Sequence, residues 1–224
     1  MAALYYPEVF DVSGLDHAKQ IILTEEGPGA DTETRWARET PYVMELLGGA
    51  FPLRADLLVL DYGCGIGRIA KAMIEASGCS VIGVDISASM RKLAGDYVGS
   101  DRFTAVSPDQ FDVLVAAGLR VQAAIAVWVL QHCFAPAADI ARIAGGLAAG
   151  GVGFVLNMPK RAVPAVVEET AEYRKFIWAQ DQTDVAALLR GSFDVTAEGV
   201  PDTTRTPNMA DAGAYWMNFR RRAG

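Results

Sequence analysis

The stretch Val59-Leu60-Asp61-Tyr62-Gly63-Cys64-Gly65-Ile66-Gly67-Arg68 constrains this chain more than any other. An apolar run over residues 57–60 meets an acidic residue and then passes three alternating glycines. It enters an amphipathic pattern over residues 69–76 that Gly78 closes. A buried strand, a tight glycine turn and a helix, in that order, are what an open α/β sheet uses to hold the ribose end of a nucleoside at its carboxyl edge. Glycine admits close approach of a ligand to the backbone and also permits the chain reversal itself. The loop therefore specifies a nucleoside without saying which.

A second acidic residue sharpens the reading. Ser80 to Asp85 forms a short strand pattern ending in a carboxylate. It lies about 20 residues past the loop, where a carboxylate that bonds ribose hydroxyls is expected. The dinucleotide fingerprint G-x-G-x-x-G is not met, because the spacing is Gly63-x-Gly65-x-Gly67 and Arg68 stands where the last glycine should fall. Asp61 at the mouth of the loop would also repel a pyrophosphate.

Residues 60–67 resemble motif I of the class I S-adenosylmethionine-dependent methyltransferases, and Val84-Asp85-Ile86-Ser87 resembles motif II. The cofactor of that family carries an ammonium, a carboxylate and a sulfonium. An acidic residue at the loop's mouth suits this net cationic ligand, and loop amides suit its carboxylate. The resemblance spans roughly residues 53–219. It implies a doubly wound, mostly parallel seven-stranded α/β sheet of Rossmann-like type with the last strand antiparallel. It also implies S-adenosyl-L-methionine as cofactor.

The order of elements agrees with that plan. Strand patterns fall at residues 57–62, 81–85, 103–106, 121–129 and 153–157, with helical patterns between them, the last over residues 136–149. Ser87 caps a helix over Met90, Leu93, Ala94 and Tyr97, and residues 111–117 read as another. Residues 164–178 read as a longer helix with a wet face of Glu168, Glu169, Glu172, Arg174 and Lys175. A shorter helix follows from Thr183 or Asp184, and residues 193–197 and 214–219 read as two final strands. Residues 1–52 precede the nucleoside-binding unit of residues 53–224 and read as a helical lid. In them Gly27-Pro28-Gly29 is a break and Asp31 or Thr32 opens a helix. Thr40-Pro41 restarts that helix, with Trp36, Val43, Met44 and Leu47 facing the core.

Site residues carry over position by position. Gly63, Cys64, Gly65 and Gly67 should line the cofactor's methionine end, with Asp61 near its ammonium, Asp85 on the ribose and Ile86 against adenine. Met90, Val127 and Trp128 complete the implied cofactor wall; for Trp128 a place in the core is the alternative. The family's acidic adenine contact after the third strand is displaced here, leaving Asp109 or Gln110 for it. Cys64 reads as a small residue that fits, not as a nucleophile.

His132, in Trp128-Val129-Leu130-Gln131-His132, follows the fourth strand at the ligand edge. An imidazole titrates near neutrality, as a general base must; a capping or packing histidine is the other reading. Arg35 and Arg38 on the lid helix either fork onto a carboxylate or form an exposed face. Tyr5 and Tyr6 either close over the acceptor or pack, and Asn157 ends the fifth strand beside the acceptor pocket. His17 has the weaker claim to a substrate contact.

Composition narrows the acceptor. The 224 residues carry a net charge of -7, and nucleic-acid binding favours a basic face. The place after the fourth strand also lacks the Asn/Asp-Pro-Pro-aromatic stretch of methyltransferases acting on bases or glutamine. Three cysteines without metal spacing, and no leader or long apolar segment, point to a reduced cytoplasmic protein without a metal. A small-molecule acceptor is expected. The sequence leaves open a nicotinamide oxidoreductase on the same sheet plan, although no Tyr-x-x-x-Lys pair appears, and a non-catalytic cofactor-binding or interaction module. Oligomeric state is not legible.

Overall fold

The computed structural model describes residues 4–25, 30–170, 174–202, 204–206, 209 and 213–222; the Gly27-Pro28-Gly29 break and Glu172 lie outside them. The chain begins with β1 (Leu4–Tyr5), a 3-10 turn over Pro7–Phe10, α1 (Leu15–Ile22) and α2 (Thr32–Gly48). Strands and helices then alternate: β2 (Leu58–Tyr62), α3 (Arg68–Ser77), β3 (Ser80–Val84), α4 (Ala88–Val98), β4 (Phe103–Val106), α5 (Pro108–Ala116), β5 (Val121–Val127), α6 (Pro136–Gly146) and β6 (Leu147–Asn157). After β6 come β7 (Val163–Glu169), β8 (Arg174–Ala179), α7 (Val185–Ser192), β9 (Phe193–Gly199) and β10 (Tyr215–Arg221).

The main sheet has the order β4-β3-β2-β5-β6-β10-β9. All neighbours pair in parallel except β10, which is antiparallel to both β6 and β9. Side chains alternate across it as the pleat demands. Val59, Ile125 and Phe154 join the core under α2, α3 and α4, while Leu60, Ala126 and Val155 join the core under α5, α6 and α7. Burying one such aliphatic chain is worth about 1.5–3 kcal/mol. The doubly wound sheet expected from the sequence is the sheet found.

Two expectations fail. Residues 164–178 are not a helix: β7 and β8 form an antiparallel hairpin, and β1 adds to it, with Leu4 opposite Val166 and Tyr5 opposite Ala165. Val163, Val166, Phe176, Ile177 and Trp178 favour a pleated, half-buried surface over a helix, and the acidic residues misled by fitting a wet face. The helix at Thr40-Pro41 does not restart either. Helix α2 runs through Pro41, and the Thr40 hydroxyl donates back to the Trp36 carbonyl at 2.7 Å instead of capping. The carbonyl that Pro41 leaves unbonded belongs to exposed Ala37, where water can take it.

Smaller shifts have local causes. Helix α6 ends at Gly146 and the fifth strand of the main sheet already starts at Leu147. The fourth stops at Val127, because Trp128 turns to φ 58°. Helix α5 starts early, at Pro108, where Ser107 and Gln110 form a reciprocal cap.

Gly153 of β6 shows how tightly the sheet is packed between β5 and β10. A Cβ there would stand 2.8 Å from the Ala124 carbonyl oxygen and closer still to the Phe219 ring, itself stacked on Phe193 with ring centroids 4.2 Å apart. Gly153→Ala is expected to cost about 1–3 kcal/mol by overpacking, read as a lower urea midpoint with an unchanged slope.

Candidate active site

A cavity of about 700 Å³ opens where β2, β3 and β5 end, and Tyr62, Val84 and Val127 all reach its wall. From β2 the chain steps outward through β3 to β4, and then crosses back to β5 on the other side of β2. Such a reversal of strand order leaves a crevice between the loops.

The glycine loop is held from the next strand. The Gly63 and Cys64 amides donate to the Val84 carbonyl at 2.7 and 3.0 Å, Gly67 N–H donates to the Cys64 carbonyl at 2.8 Å, and Gly65 N–H donates to Asp85 Oδ2 at 2.8 Å. Four loop amides are therefore committed inside the protein, and the expectation that they would serve a ligand carboxylate is corrected. All three glycines have φ between 54° and 80°. Their missing side chains make room for protein: a Cβ on Gly63 would meet Val129, on Gly65 Ile22 and on Gly67 Val98. Gly67 itself lies off the cavity.

Asp85 Oδ1 accepts from Ser87 N–H at 2.9 Å, so each carboxylate oxygen carries one backbone amide and keeps a lone pair free. Burial raises its pKa, against the two amides that lower it. Ile86, beside it, is exposed at the cavity mouth, and Met90 lies in the wall against Ala18 and Ile66. Cys64 is buried, its Sγ 3.5 Å from the Gly65 carbonyl oxygen, and burial lifts its thiol pKa well above the usual range.

Asp61 is 3% exposed and its Oδ2 has no hydrogen-bond partner. Burial pushes its pKa up to about 7, partly offset by the Arg68 guanidinium and reinforced by Asp85. Arg68 is also buried, which lowers it to about 10; its Nη1 donates to Thr40 Oγ1 at 3.2 Å and its guanidinium lies 5.4 Å from the Trp36 ring centre. Arg35 donates to both oxygens of buried Glu39, at 2.7 and 3.3 Å, and to the Thr24 carbonyl at 2.6 Å. Arg35 and Arg68 both reach the cavity. Sequence reading missed Arg68, although a cation in the first turn of a helix opposes the helix dipole and so flags a special role. Arg38 lies outside the cavity wall, 3.8 Å from Glu39.

At the other end, His132 Nδ1 faces the Ala162 carbonyl at 2.6 Å and Nε2 faces Gln131 Nε2 at 3.3 Å. A carbonyl can only accept, so Nδ1 carries the hydrogen and Nε2 is a lone pair. Burial lowers the histidine pKa, which keeps the ring neutral. The ring sits 5.9 Å from Phe10 and 5.4 Å from Trp178 between centroids, and Tyr5 stands against Phe134 at 5.2 Å. Tyr5 reaches the cavity, and its hydroxyl pKa is pushed up to about 12, first by burial and then by neighbouring Cys133. Trp128 also reaches the cavity, with a buried indole N–H that has no partner. It is the one non-glycine with positive φ among the described residues, a strain of about 1–3 kcal/mol of the kind concentrated at functional sites.

Several expected residues are elsewhere. Gln110 Oε1 accepts from Ser107 N–H within the α5 cap, and Asp109 is exposed beside it; neither reaches the cavity, and Pro108 does instead. Asn157 is fully buried behind the wall: Oδ1 accepts from Gln131 N–H at 3.1 Å, and Nδ2 donates to the Met158 carbonyl and the Tyr215 hydroxyl. Tyr6 packs on Phe176, 6.2 Å between ring centres, and His17 is exposed on α1, both off the cavity. Phe10, Phe134 and Trp178, and the Tyr62-Asp139-Arg142 network at 2.5 to 3.2 Å, line the cavity without having been read from the sequence. They come from segments distant in the chain, and no local pattern marks them. Among the described residues no cluster of three or more His, Cys, Asp or Glu could hold a metal, and no helix is long and apolar enough to cross a membrane.

Fold and site define a nucleoside-binding α/β domain of the methyltransferase type. Residues 59–151 match the family model described as a methyltransferase domain. Among solved structures, the chain is similar to the [4+2]-cyclase SpnF at 16% identity, covering 100% of this chain and 98% of that one with a TM-score of 0.65. It is similar to a putative sarcosine dimethylglycine methyltransferase from Galdieria sulphuraria at 12% identity, covering 92% and 98%, TM-score 0.63. It is also similar to the N-methyltransferase NodS from Bradyrhizobium japonicum in complex with S-adenosyl-l-homocysteine, at 13% identity, covering 83% and 87%, TM-score 0.57. No curated protein sequence matches. Over residues 59–151 the chain carries a methyltransferase domain, and it has the fold of the S-adenosylmethionine-dependent methyltransferases.

The lone Asp61 carboxylate has a consequence for the ligand-free protein. Unfolded, it titrates near 3.9; folded, near 7. Between these values the folded chain holds a proton the unfolded chain has released, so stability falls as pH rises through that window. Asp61→Asn abolishes this dependence. Its stability relative to the wild type should grow by about 1–4 kcal/mol between pH 4 and pH 8. Urea unfolding at both pH values checks it, and a pH-independent difference would show the carboxyl ionised throughout.

Proposed function

We propose that this protein transfers the methyl group of S-adenosylmethionine to a small-molecule acceptor, with His132 as the general base. The observation that carries the reading is Asp61: a buried carboxylate oxygen without a partner, at the mouth of the glycine loop, one strand away from Asp85. An unpaired buried polar atom costs about 1–3 kcal/mol, more when charged, and a ligand ammonium relieves it. The residues present thus fit the cofactor.

In this reading Asp61 receives the amino group, and Arg35 and Arg68 receive the carboxylate that the loop amides cannot take. Asp85 bonds the ribose hydroxyls with its two free lone pairs, and the exposed face of Ile86 covers adenine. Val127 and Trp128 wall the cofactor on the fourth strand. The bound sulfonium supplies an activated methyl group. The chain's own task is then to align the acceptor, exclude water and take up a proton. Alignment alone can be worth up to roughly 7–11 kcal/mol.

His132 Nε2, held as a lone pair by the Ala162 carbonyl on the far nitrogen, takes the acceptor's proton. Residues 1–52 act as a lid. Helix α1 and the Arg35-Thr24 bond close one side of the cavity, while β1 and Phe10 close the other. The acidic net charge and the aromatic wall favour a small cytoplasmic substrate over a nucleic acid.

Calorimetric titration with S-adenosylhomocysteine tests the cofactor assignment. Asp85→Ala should weaken binding by about 1–3 kcal/mol; unchanged affinity would remove Asp85 from the site. Once an acceptor is in hand, His132→Ala should lower kcat by about 10²–10⁴-fold while S-adenosylhomocysteine affinity stays the same. Equal turnover would assign the ring to packing.

A further inference from the structure

Gln131 is 1% exposed, reaches the cavity wall, and has a side-chain oxygen, Oε1, with no partner. Its backbone is clamped at both ends: N–H donates to Asn157 Oδ1 at 3.1 Å, and the carbonyl accepts from Ala162 N–H at 2.9 Å. The amide's orientation is fixed by chemistry. Because His132 Nε2 is a lone pair, the Gln131 atom 3.3 Å from it must be the NH₂. Oε1 is thereby left as the unpartnered end of the side chain. A buried carbonyl oxygen without a donor is unfavourable, and it sits in a rigid mount with no freedom to find one.

The surroundings say what kind of donor would come. Phe10 and Trp178 flank His132, Tyr5 and Phe134 stand beside them, and Phe134 is 65% exposed at the mouth. This lobe carries no free charge. The Asp139 carboxylate in the cavity wall is engaged by the Tyr62 hydroxyl and by Arg142, and the Arg161 guanidinium is turned onto the Cys133 and Phe134 carbonyls and Asp181. An ammonium would find no counter-charge here, and a carboxylate would face the Gln131 oxygen. What the lobe offers is an aromatic wall and two neighbouring acceptors, Gln131 Oε1 and His132 Nε2.

We propose that Gln131 Oε1 is the specificity-determining atom of the acceptor site, and that it selects a neutral aromatic molecule bearing two adjacent hydroxyls. One hydroxyl is recognised by Oε1 and the other faces His132 Nε2, displacing the long contact from the Gln131 NH₂. This rests on the methyltransferase reading and names its substrate class.

Three ring-matched probes test it with the full chain: 2,3-dihydroxynaphthalene, 2-naphthol and 2-methoxynaphthalene, with S-adenosylmethionine as methyl donor. The wild type should methylate the dihydroxy compound at least tenfold more efficiently than 2-naphthol and should not bind the methyl ether. Gln131→Leu should raise KM for the dihydroxy compound at least tenfold and bring the two efficiencies together. Its S-adenosylhomocysteine affinity and the pH profile of kcat should stay as in the wild type. A thermal shift with S-adenosylhomocysteine reports that the variant is folded, and Gln131→Met replaces it if it is not.

The proposal is overturned if the wild type binds S-adenosylhomocysteine yet methylates neither hydroxylated probe. It is also overturned if the leucine variant keeps the discrimination, or if its loss appears in cofactor affinity. Failure of the wild type to bind S-adenosylhomocysteine at all would bring down the methyltransferase reading beneath it, which is a separate result.

Discussion

The Asp85 carboxylate ties the fold to its ligand site. One oxygen takes the Gly65 amide of the glycine loop, and the other takes the Ser87 amide at the start of α4. Loop, strand end and helix cap are thus fixed relative to each other by one side chain buried enough to raise its own pKa. Charge-assisted hydrogen bonds of this kind are about twice as strong as neutral ones. The loop can then dispense with ligand contacts for its own rigidity, and its internal amides are used for structure. On the proposed reading, recognition passes to side chains around it, above all Asp61 and the two arginines that reach the same cavity.

Those charges form a set whose members need each other. Asp61, Arg68, Arg35 and Glu39 are all buried, two of each sign, on three different elements. A buried ion left alone costs several kcal/mol, and a pair recovers this only with good geometry. Arg35 and Glu39, one helical turn apart, have that geometry. Asp61 does not, since its Oδ2 is bare and Arg68 leans on Trp36 and Thr40 instead. The mismatch sits where an amino-acid moiety with both signs of charge would complete it. On the proposed reading, helix α2, which brings Arg35 and Glu39, is therefore as much a part of the cofactor end as the loop is.

What the sequence made legible follows from locality. Strand, glycine turn, acidic tip and helix cap are written in contiguous residues with fixed periods, and they were read correctly from β2 through β6 apart from element ends. That Asp61, Asp85 and His132 reach the cavity was also legible, because each occupies a set distance from a strand end. The β7–β8 hairpin was not, because a β-rich segment with acidic residues every few positions also fits one helical face, and the pairing that decides it comes from β1, about 160 residues away. Gln110 and Asn157 were misplaced for a different reason. Their positions were right, but local hydrogen bonding, a helix cap in one case and a loop clamp in the other, claims the side chain before a ligand can.

The same contrast explains how the cavity divides. Its glycine-loop end is built mainly on the continuous β2-α3-β3 unit, with α2 laid against it, so a change there disturbs the sheet itself. Its aromatic end is assembled from residues 5–10, the segment after β5 and the β7–β8 pair, held together by Ala162, Asn157 and Arg161 at the exit of β6. Connecting segments of this kind tolerate sequence change that strands do not. A structure matching this one end to end at 16% identity shows how far sequence can drift while the sheet persists. On the proposed reading, the positions that set chemistry at the aromatic end are the ones fixed by buried hydrogen bonds, Gln131 and His132 on the 157–162 scaffold. The rings around them supply area and shape, and are free to vary with the molecule they enclose.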